Sequence, residues 1–95
     1  MGADVVAFSS SDKRLKDNIK PIDNALEKLE KISGVLFDWN DKSGYTGRDY
    51  GVIAQEVEAI MPEIVVTRDD GYKAVRYEKI IPLLIEAIKQ LNNKK

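Results

Sequence analysis

The chain has 95 residues, enough for one domain with a modest core. Apolar residues make up 43% and charged residues 33%, a balance typical of a folded domain and too apolar for a disordered one. The net charge of −1 leaves no basic face, and the longest apolar run is short, so we expect neither nucleic acid nor a membrane as a partner.

The N-terminal third contains one predicted strand and one predicted helix. The β-branched and aromatic run ADVVAF, residues 3–8, predicts a strand, and residues 9–20 predict a polar loop. PIDNALEKLEKISG predicts a helix with Asp23 as its N-cap and Gly34 at its end. The helix would place four apolar side chains on one face: Ile22, Leu26, Leu29 and Ile32. The start, Met1-Gly2-Ala3, lacks the features of a signal peptide, and we expect the chain to be a fragment.

The middle of the chain predicts short strands around a short helix. VLFDW, residues 35–39, has the alternation of a strand, and the glycine-punctuated NDKSGYTGRD predicts a loop. YGVIAQEVEAIMP begins extended and then predicts a helix that Pro62 limits, with Val57, Ile60 and Met61 on its apolar face. EIVVT and YKAVRY predict two strands, and RDDG between them predicts a tight two-residue turn. The fold class expected is therefore α+β, a small mixed domain of short strands and two or three helices.

The last predicted helix, from about Lys79 to about Asn92, has more apolar positions than a small domain needs. Pro82 fits its first turn. Its apolar residues include a row spaced by three, four and three positions, as in a coiled-coil seam: Ile81, Leu84, Ile88 and Leu91. The stripe could pack on its own domain, or the helix could self-associate. Two heptads are too few for a stable coiled coil alone, so association would need help from the rest of the domain.

Ser11 and Lys16 are the candidate nucleophile and base. The chain contains no Cys and no His, which excludes Ser-His-Asp and Cys-His pairs as well as thiolate and imidazole metal sites. The spacing alone also fits a solvated loop in which Asp12 caps a turn. Five residues along a helix correspond to about 500°, so the two side chains would not share a helix face. A dyad therefore requires a turn here, or pairing across chains.

Three other polar residues, Gln55, Glu56 and Glu58, could suggest the acids of a hydrolase. Their spacing implies no tight carboxylate pair, and the exposed face of an amphipathic helix explains them better. The glycines at 44, 47 and 51 do not form a phosphate-binding loop, because no Gly-Lys-Ser/Thr follows. We expect no cofactor and no metal.

Five segments in a fixed order carry a family resemblance: SDKRLKDNI (11–19), a helix, FDWN (37–40), YGVIAQEVEAIMPEIV (50–65) and YKAVRYEKIIPLLIEAIKQL (72–91). This order resembles the C-terminal intramolecular chaperone domain of phage endosialidases, tail spikes and tail fibres. The same autoproteolytic domain type occurs in the myelin regulatory factor. SDKRLK and GVIAQEVE are each weak alone and specific together.

The resemblance implies a domain that brings three chains into register and then cuts itself off with a Ser-Lys dyad. It implies Ser11 as nucleophile, Lys16 as general base and Ser10–Ser11 as the scissile bond. Residues 1–10 would then be the tail of the upstream fibre or spike protein, and residues 11–95 the chaperone and autoprotease domain. It implies a homotrimer whose interface includes the apolar row of the last helix, assembly in the host cytoplasm, and release from the mature virion after cleavage.

The chemistry required of such a dyad is consistent with the residues. A serine hydroxyl needs a base, and an ordinary lysine, with a pKa of ~10.4, is protonated at neutral pH. Burial or nearby positive charge would favour the neutral amine, and trimer assembly could supply the burial. The alternative is a non-catalytic oligomerisation module at the end of a fibrous protein. An enzyme acting on an external substrate is poorly supported, since nothing resembles a substrate-pocket motif.

Overall fold

The computed structural model describes residues 8–94. Over this range the chain forms a mixed α+β domain, which confirms the expected fold class. The helices are α1 (Ala25–Leu29), α2 (Ala54–Ile60) and α3 (Ile80–Asn93). The strands are β1 (Val35–Asp38), β2 (Arg48–Gly51), β3 (Val65–Thr67) and β4 (Lys73–Val75). The strand expected over residues 3–8 lies outside the described residues except for Phe8, as does most of the tail at 1–10.

The first sheet is an antiparallel pair, β1 with β2, in the register Val35 opposite Gly51. The predicted alternation is visible in β1, where Val35 and Phe37 are half-buried and Leu36 and Asp38 are exposed. The strand prediction for residues 35–39 is therefore confirmed to within one residue.

The second sheet pairs β3 with β4, as the two predicted strands required. The predicted two-residue turn between them is wrong by one residue. The Arg68 N–H donates to the Tyr72 carbonyl at 2.9 Å, so three residues connect the last bonded pair. Gly71 closes the turn with a φ of +91°, a conformation that favours glycine and is typical of three-residue hairpins.

The core consists of two small clusters that share helix α3. Ala25, Leu83 and Ala87 form the first between α1 and α3, and Ile22, Leu26, Leu29 and Ile32 pack against it. The second consists of Val57, Ile64 and Ile80. The core is thus as modest as the chain length predicts.

Helix α1 begins later than predicted and is not capped by Asp23. Asn24 occupies the N-cap position with a φ of +53° and makes no side-chain cap hydrogen bond. The side chain of Gln90 in α3 does so instead, because its Oε1 accepts from the Leu26 N–H at 2.9 Å. A helix N-terminus is left with unpaired N–H groups, and here a neighbouring helix satisfies one of them. Helix α1 also ends at Leu29, before the predicted stop at Gly34.

Helix α3 separates its apolar residues into two rows. Ile80, Leu83 and Ala87 are buried against the domain. The second row, defined here as the outer row, stays exposed by 57%, 38%, 63% and 57% at Ile81, Leu84, Ile88 and Leu91 respectively. One row of the stripe therefore packs on the domain, as the first alternative predicted, while the outer row is exposed in the single chain and its self-association stays a prediction.

Helix α3 has 14 residues. Within residues 8–94 no helix combines the length and apolar character needed to cross one.

Candidate functional site

Ser11 and Lys16 lie at the two ends of a single tight turn. Residues Lys13–Leu15 form a 3-10 helix, with extended backbone at Asp12 before it and at Lys16 after it. Two backbone bonds close it, from the Leu15 N–H to the Asp12 carbonyl at 3.0 Å and from the Lys16 N–H to the Lys13 carbonyl at 3.1 Å. Because a 3-10 helix completes a turn in three residues, the chain returns over its start.

The turn brings the two candidate side chains into contact. Lys16 Nζ donates a hydrogen bond to Ser11 Oγ at 2.8 Å within one chain. Of the two arrangements that the five-residue spacing allowed, a turn or a pairing across chains, the structure contains the turn. The contact has the length expected of a nucleophile and its base, and the catalytic role of the two residues remains a prediction.

Asp12 and Arg14 form a second pair on the same turn. Asp12 Oδ1 accepts from the Arg14 N–H at 2.8 Å and from Arg14 Nε at 3.1 Å, while Asp12 Oδ2 accepts from Arg14 Nη2 at 2.8 Å. The Arg14 side chain, and after it the Arg14 N–H, hold the pKa of the Asp12 carboxyl below its ordinary value. The sequence indicated Asp12 as a possible cap of a turn. It did not predict the contact of Asp12 with the Arg14 guanidinium, because spacing does not determine the rotamer of an arginine.

Water surrounds the whole site in the single chain. Every residue from 8 to 21 is exposed, including Ser10, Ser11 and Lys16. The pair is therefore open to solvent in the single chain, and its catalytic role stays a prediction.

Two of the three polar residues singled out on α2 make structural contacts. Glu56 accepts from the Ser33 N–H at 2.9 Å, and Glu58 pairs with Lys73 at 3.0 Å. Gln55 is exposed and lies at the rim of an open cleft. These contacts agree with the amphipathic-helix interpretation.

That cleft lies between the two hairpins. Trp39 lies in its wall, with ring centroids 4.8 Å from Phe37 and 4.9 Å from Tyr45. Neither Ser11 nor Lys16 lines it. The candidate dyad thus lies on an exposed turn and not in this cleft.

The fold and the site together define a small α+β domain with a serine-lysine pair on an exposed turn and an uncovered apolar row on its last helix. The model of the peptidase S74 family, described as chaperone of endosialidase, matches residues 11–66. The chain belongs to this family, which confirms the resemblance found in the sequence.

The curated relatives carry one name, long tail fiber protein Gp37. Those of Enterobacteria phages K3 and T2 are each 42% identical over 94 residues, covering 90% of this chain and 7% of the relative. That of Escherichia phage AR1 is 37% identical over 90 residues, covering 87% of this chain and 8% of the relative. The chain therefore spans less than a tenth of the length of these relatives. Family membership supports a chaperone or assembly role for the domain.

Proposed function

We propose that this domain is an intramolecular chaperone of a phage tail fibre that aligns three chains and then releases itself by cutting the Ser10–Ser11 bond. The observation that carries the proposal is the 2.8 Å hydrogen bond from Lys16 Nζ to Ser11 Oγ, in a chain of the endosialidase-chaperone family. Residues 11–95 form the chaperone and protease, and residues 1–10 end the upstream fibre.

The outer row supports the trimer. Ile81, Leu84, Ile88 and Leu91 are exposed, and their spacing is that of a helix seam. Burying apolar surface stabilises association by about 25 cal/mol per Å². Three copies of the same row would cover one another around a three-fold axis. The number three comes from the family resemblance, because mixed leucine and isoleucine do not select it.

The cut proceeds in two steps, transfer of the Ser10 acyl group to the Ser11 oxygen and hydrolysis of the resulting ester. Neutral Lys16 Nζ takes the proton of Ser11 Oγ, and the oxygen attacks the Ser10 carbonyl carbon. The C–N bond breaks as the proton passes to the Ser11 nitrogen, which leaves Ser10 esterified to Ser11 Oγ and Ser11 with a free amine. Water then hydrolyses the ester to the Ser10 carboxylic acid and the Ser11 hydroxyl. One water is consumed and each domain acts once, on its own chain.

Assembly would switch the dyad on. Both side chains are exposed to solvent in the single chain. Covering the turn in the trimer would remove that hydration and release the base. Cleavage would then follow correct assembly in the host cytoplasm. It would free the mature fibre from the domain that folded it. The stability of the fibre would then be kinetic, set by its unfolding rate.

The test is to express the domain behind a longer upstream segment and to measure native and intact mass. We expect a trimer and a chain that begins at Ser11. Ser11→Ala should leave association unchanged and stop the cut. Lys16→Arg should do the same, because a guanidinium cannot give up its proton.

Ser9→Ala and Lys13→Arg are the matched controls, because they make the same changes at exposed neighbours of the dyad. Both should cleave like the parent. Normal cleavage in Lys16→Arg would remove lysine from the mechanism. A trimer that never cuts would favour the non-catalytic oligomerisation module.

A further inference from the structure

The acid directly after the candidate nucleophile holds the turn through three hydrogen bonds to one residue. Asp12 Oδ1 accepts from the Arg14 N–H and Nε, and Asp12 Oδ2 accepts from Arg14 Nη2. A carboxylate that receives a guanidinium through both oxygens fixes direction as well as distance. The same carboxylate thereby caps the first turn of the 3-10 helix and ties down its middle residue.

Little else orders this turn. Within residues 8–94, the segment from 8 to 21 is exposed throughout, so it has no packed core of its own. The turn itself has only the two backbone bonds that end at Leu15 and Lys16. A three-residue 3-10 helix has poor hydrogen-bond geometry and is marginal in isolation. The Asp12 carboxylate is therefore the main side-chain restraint on the turn.

The position of Lys16 relative to Ser11 depends on that restraint. Ser11 immediately precedes Asp12, and Lys16 immediately follows the turn, so opening the turn would move the backbone of Lys16 away from Ser11 and let Nζ leave Oγ. Lysine has a long flexible stem, and its end stays on one atom only if its backbone is held. Misplacing a catalytic group by about 1 Å can cost about a hundredfold in rate.

We infer that Asp12 is a positioning residue for self-cleavage, which clamps the turn through Arg14 so that Lys16 Nζ stays on Ser11 Oγ. This inference rests on the proposed function. Asp12 touches no reacting atom in this arrangement, and its effect passes through the backbone of residues 13–15.

The first experiment compares first-order cleavage rates of upstream-extended proteins at equal trimer content. Asp12→Ala should slow cleavage by roughly 2- to 30-fold, the range that loss of a cap produces in an equilibrium. Asp12→Asn keeps an oxygen for the Arg14 N–H, and it should recover most of the lost rate. The melting temperature and native mass should not change, which distinguishes positioning from damage to the fold.

Asp17→Ala is the matched control. It removes the same charge from the residue that follows Lys16, and within residues 8–94 Asp17 has no side-chain hydrogen bond. It should cleave within about twofold of the parent. Equal slowing in Asp12→Ala and Asp17→Ala would mean that negative charge near Lys16 matters and the clamp does not. Parent-like cleavage in Asp12→Ala would overturn the inference directly.

A second measurement is independent of cleavage. The Leu15 and Lys16 amides are bonded inside the turn, so their hydrogen exchange should speed up in Asp12→Ala and stay unchanged in Asp17→Ala. Unchanged exchange in Asp12→Ala would overturn the clamp. A parent that never cleaves would overturn the proposed function and the catalytic consequence drawn for Asp12, while the exchange rates would still decide whether Asp12 orders the turn.

Discussion

The hydroxyl of Tyr77 lies 2.7 Å from the position that a Cβ on Gly51 would take. The same hydroxyl accepts a hydrogen bond from the Val52 N–H at 3.2 Å. The Phe37 ring closes the other side, 3.2 Å from the same position. Gly51 therefore lets the end of β2 approach the residue that leads into α3, and the reason is space, since its φ lies outside the left-handed region.

Gly51→Ala should destabilise the domain by about 1–3 kcal/mol, because either the tyrosine or the phenylalanine must move. Denaturant unfolding measures the effect. Gly34→Ala is the control. Nothing lies within 4 Å of the position that a Cβ on Gly34 would take, so this variant should be neutral or slightly stabilising. In a Tyr77→Phe background the hydroxyl is absent, and Gly51→Ala should cost less. An equal cost in both backgrounds would assign the strain to Phe37 alone.

Gln90→Ala should cost about 0.5–2 kcal/mol, the range of a lost N-cap, because the Leu26 N–H loses its acceptor across the α1–α3 contact. Amide exchange at Leu26 should accelerate more than that of residues in β3. Gln55→Ala is a matched change at an exposed position of α2 and should leave both quantities unchanged. If the two variants have the same stability, the Gln90 side chain does not cap α1.

Local sequence patterns were sufficient to predict the helices and strands. The cap of α1 depends on a contact between residues distant in the chain, which no local pattern reveals. Alternation predicted β1, and three-four spacing predicted α3, because both signals lie within a few residues. The cap of α1 could not be predicted from Asp23, since the acceptor comes from Gln90, 64 positions beyond the Leu26 N–H that it caps. The sequence left two arrangements open for the contact between Ser11 and Lys16, a turn within one chain or pairing between two chains, because spacing alone does not determine φ and ψ.

Leu83 and Leu84 are adjacent leucines whose surroundings differ. Leu83 is fully buried and Leu84 is 38% exposed. Leu83→Ala should lower stability by about 2–5 kcal/mol at every protein concentration. Leu84→Ala should act through association, so its effect on the melting temperature should shrink as the protein is diluted and both proteins become monomeric. A concentration-independent loss in Leu84→Ala would place that residue in the core of the single chain.

The Asp12 carboxyl should titrate at low pH. The Arg14 side chain, and then the Arg14 N–H, lower its pKa in the folded chain. Because the pKa is lower in the folded chain, the ionised Asp12 carboxylate stabilises the fold. This stabilisation is complete above the ordinary aspartate pKa of ~3.9 and is lost as the pH falls through the lowered value. Carboxyl carbon NMR of Asp12 measures it. Arg14→Ala should move the midpoint back up, and about 1 M salt should do so in part, since the pair is exposed. If the titration midpoint of Asp12 is the same in Arg14→Ala, the ion pair is not the cause of the lowered pKa.

Ile88→Asp should abolish cleavage from a position far from the reacting groups. Ile88 is 63% exposed in the single chain and belongs to the outer row, so the change should leave the domain folded. In a trimer the new carboxylate would be buried without a partner, which costs several kcal/mol. The chains should separate, Lys16 should stay hydrated, and Ser11 should lose its base. The measurement is cleavage of an upstream-extended Ile88→Asp protein against the parent, over time and at several concentrations.

Lys89→Asp is the control for this prediction, because it puts the same side chain one position further, at an exposed site where Lys89 pairs with Glu86. Losing an exposed ion pair costs at most about 1 kcal/mol, so this variant should trimerise and cleave. In the parent, the extent of cleavage should follow trimer content. If the monomeric Ile88→Asp protein cuts itself as fast as the parent, assembly is not the trigger, and the pair of Ser11 and Lys16 is competent within a single chain.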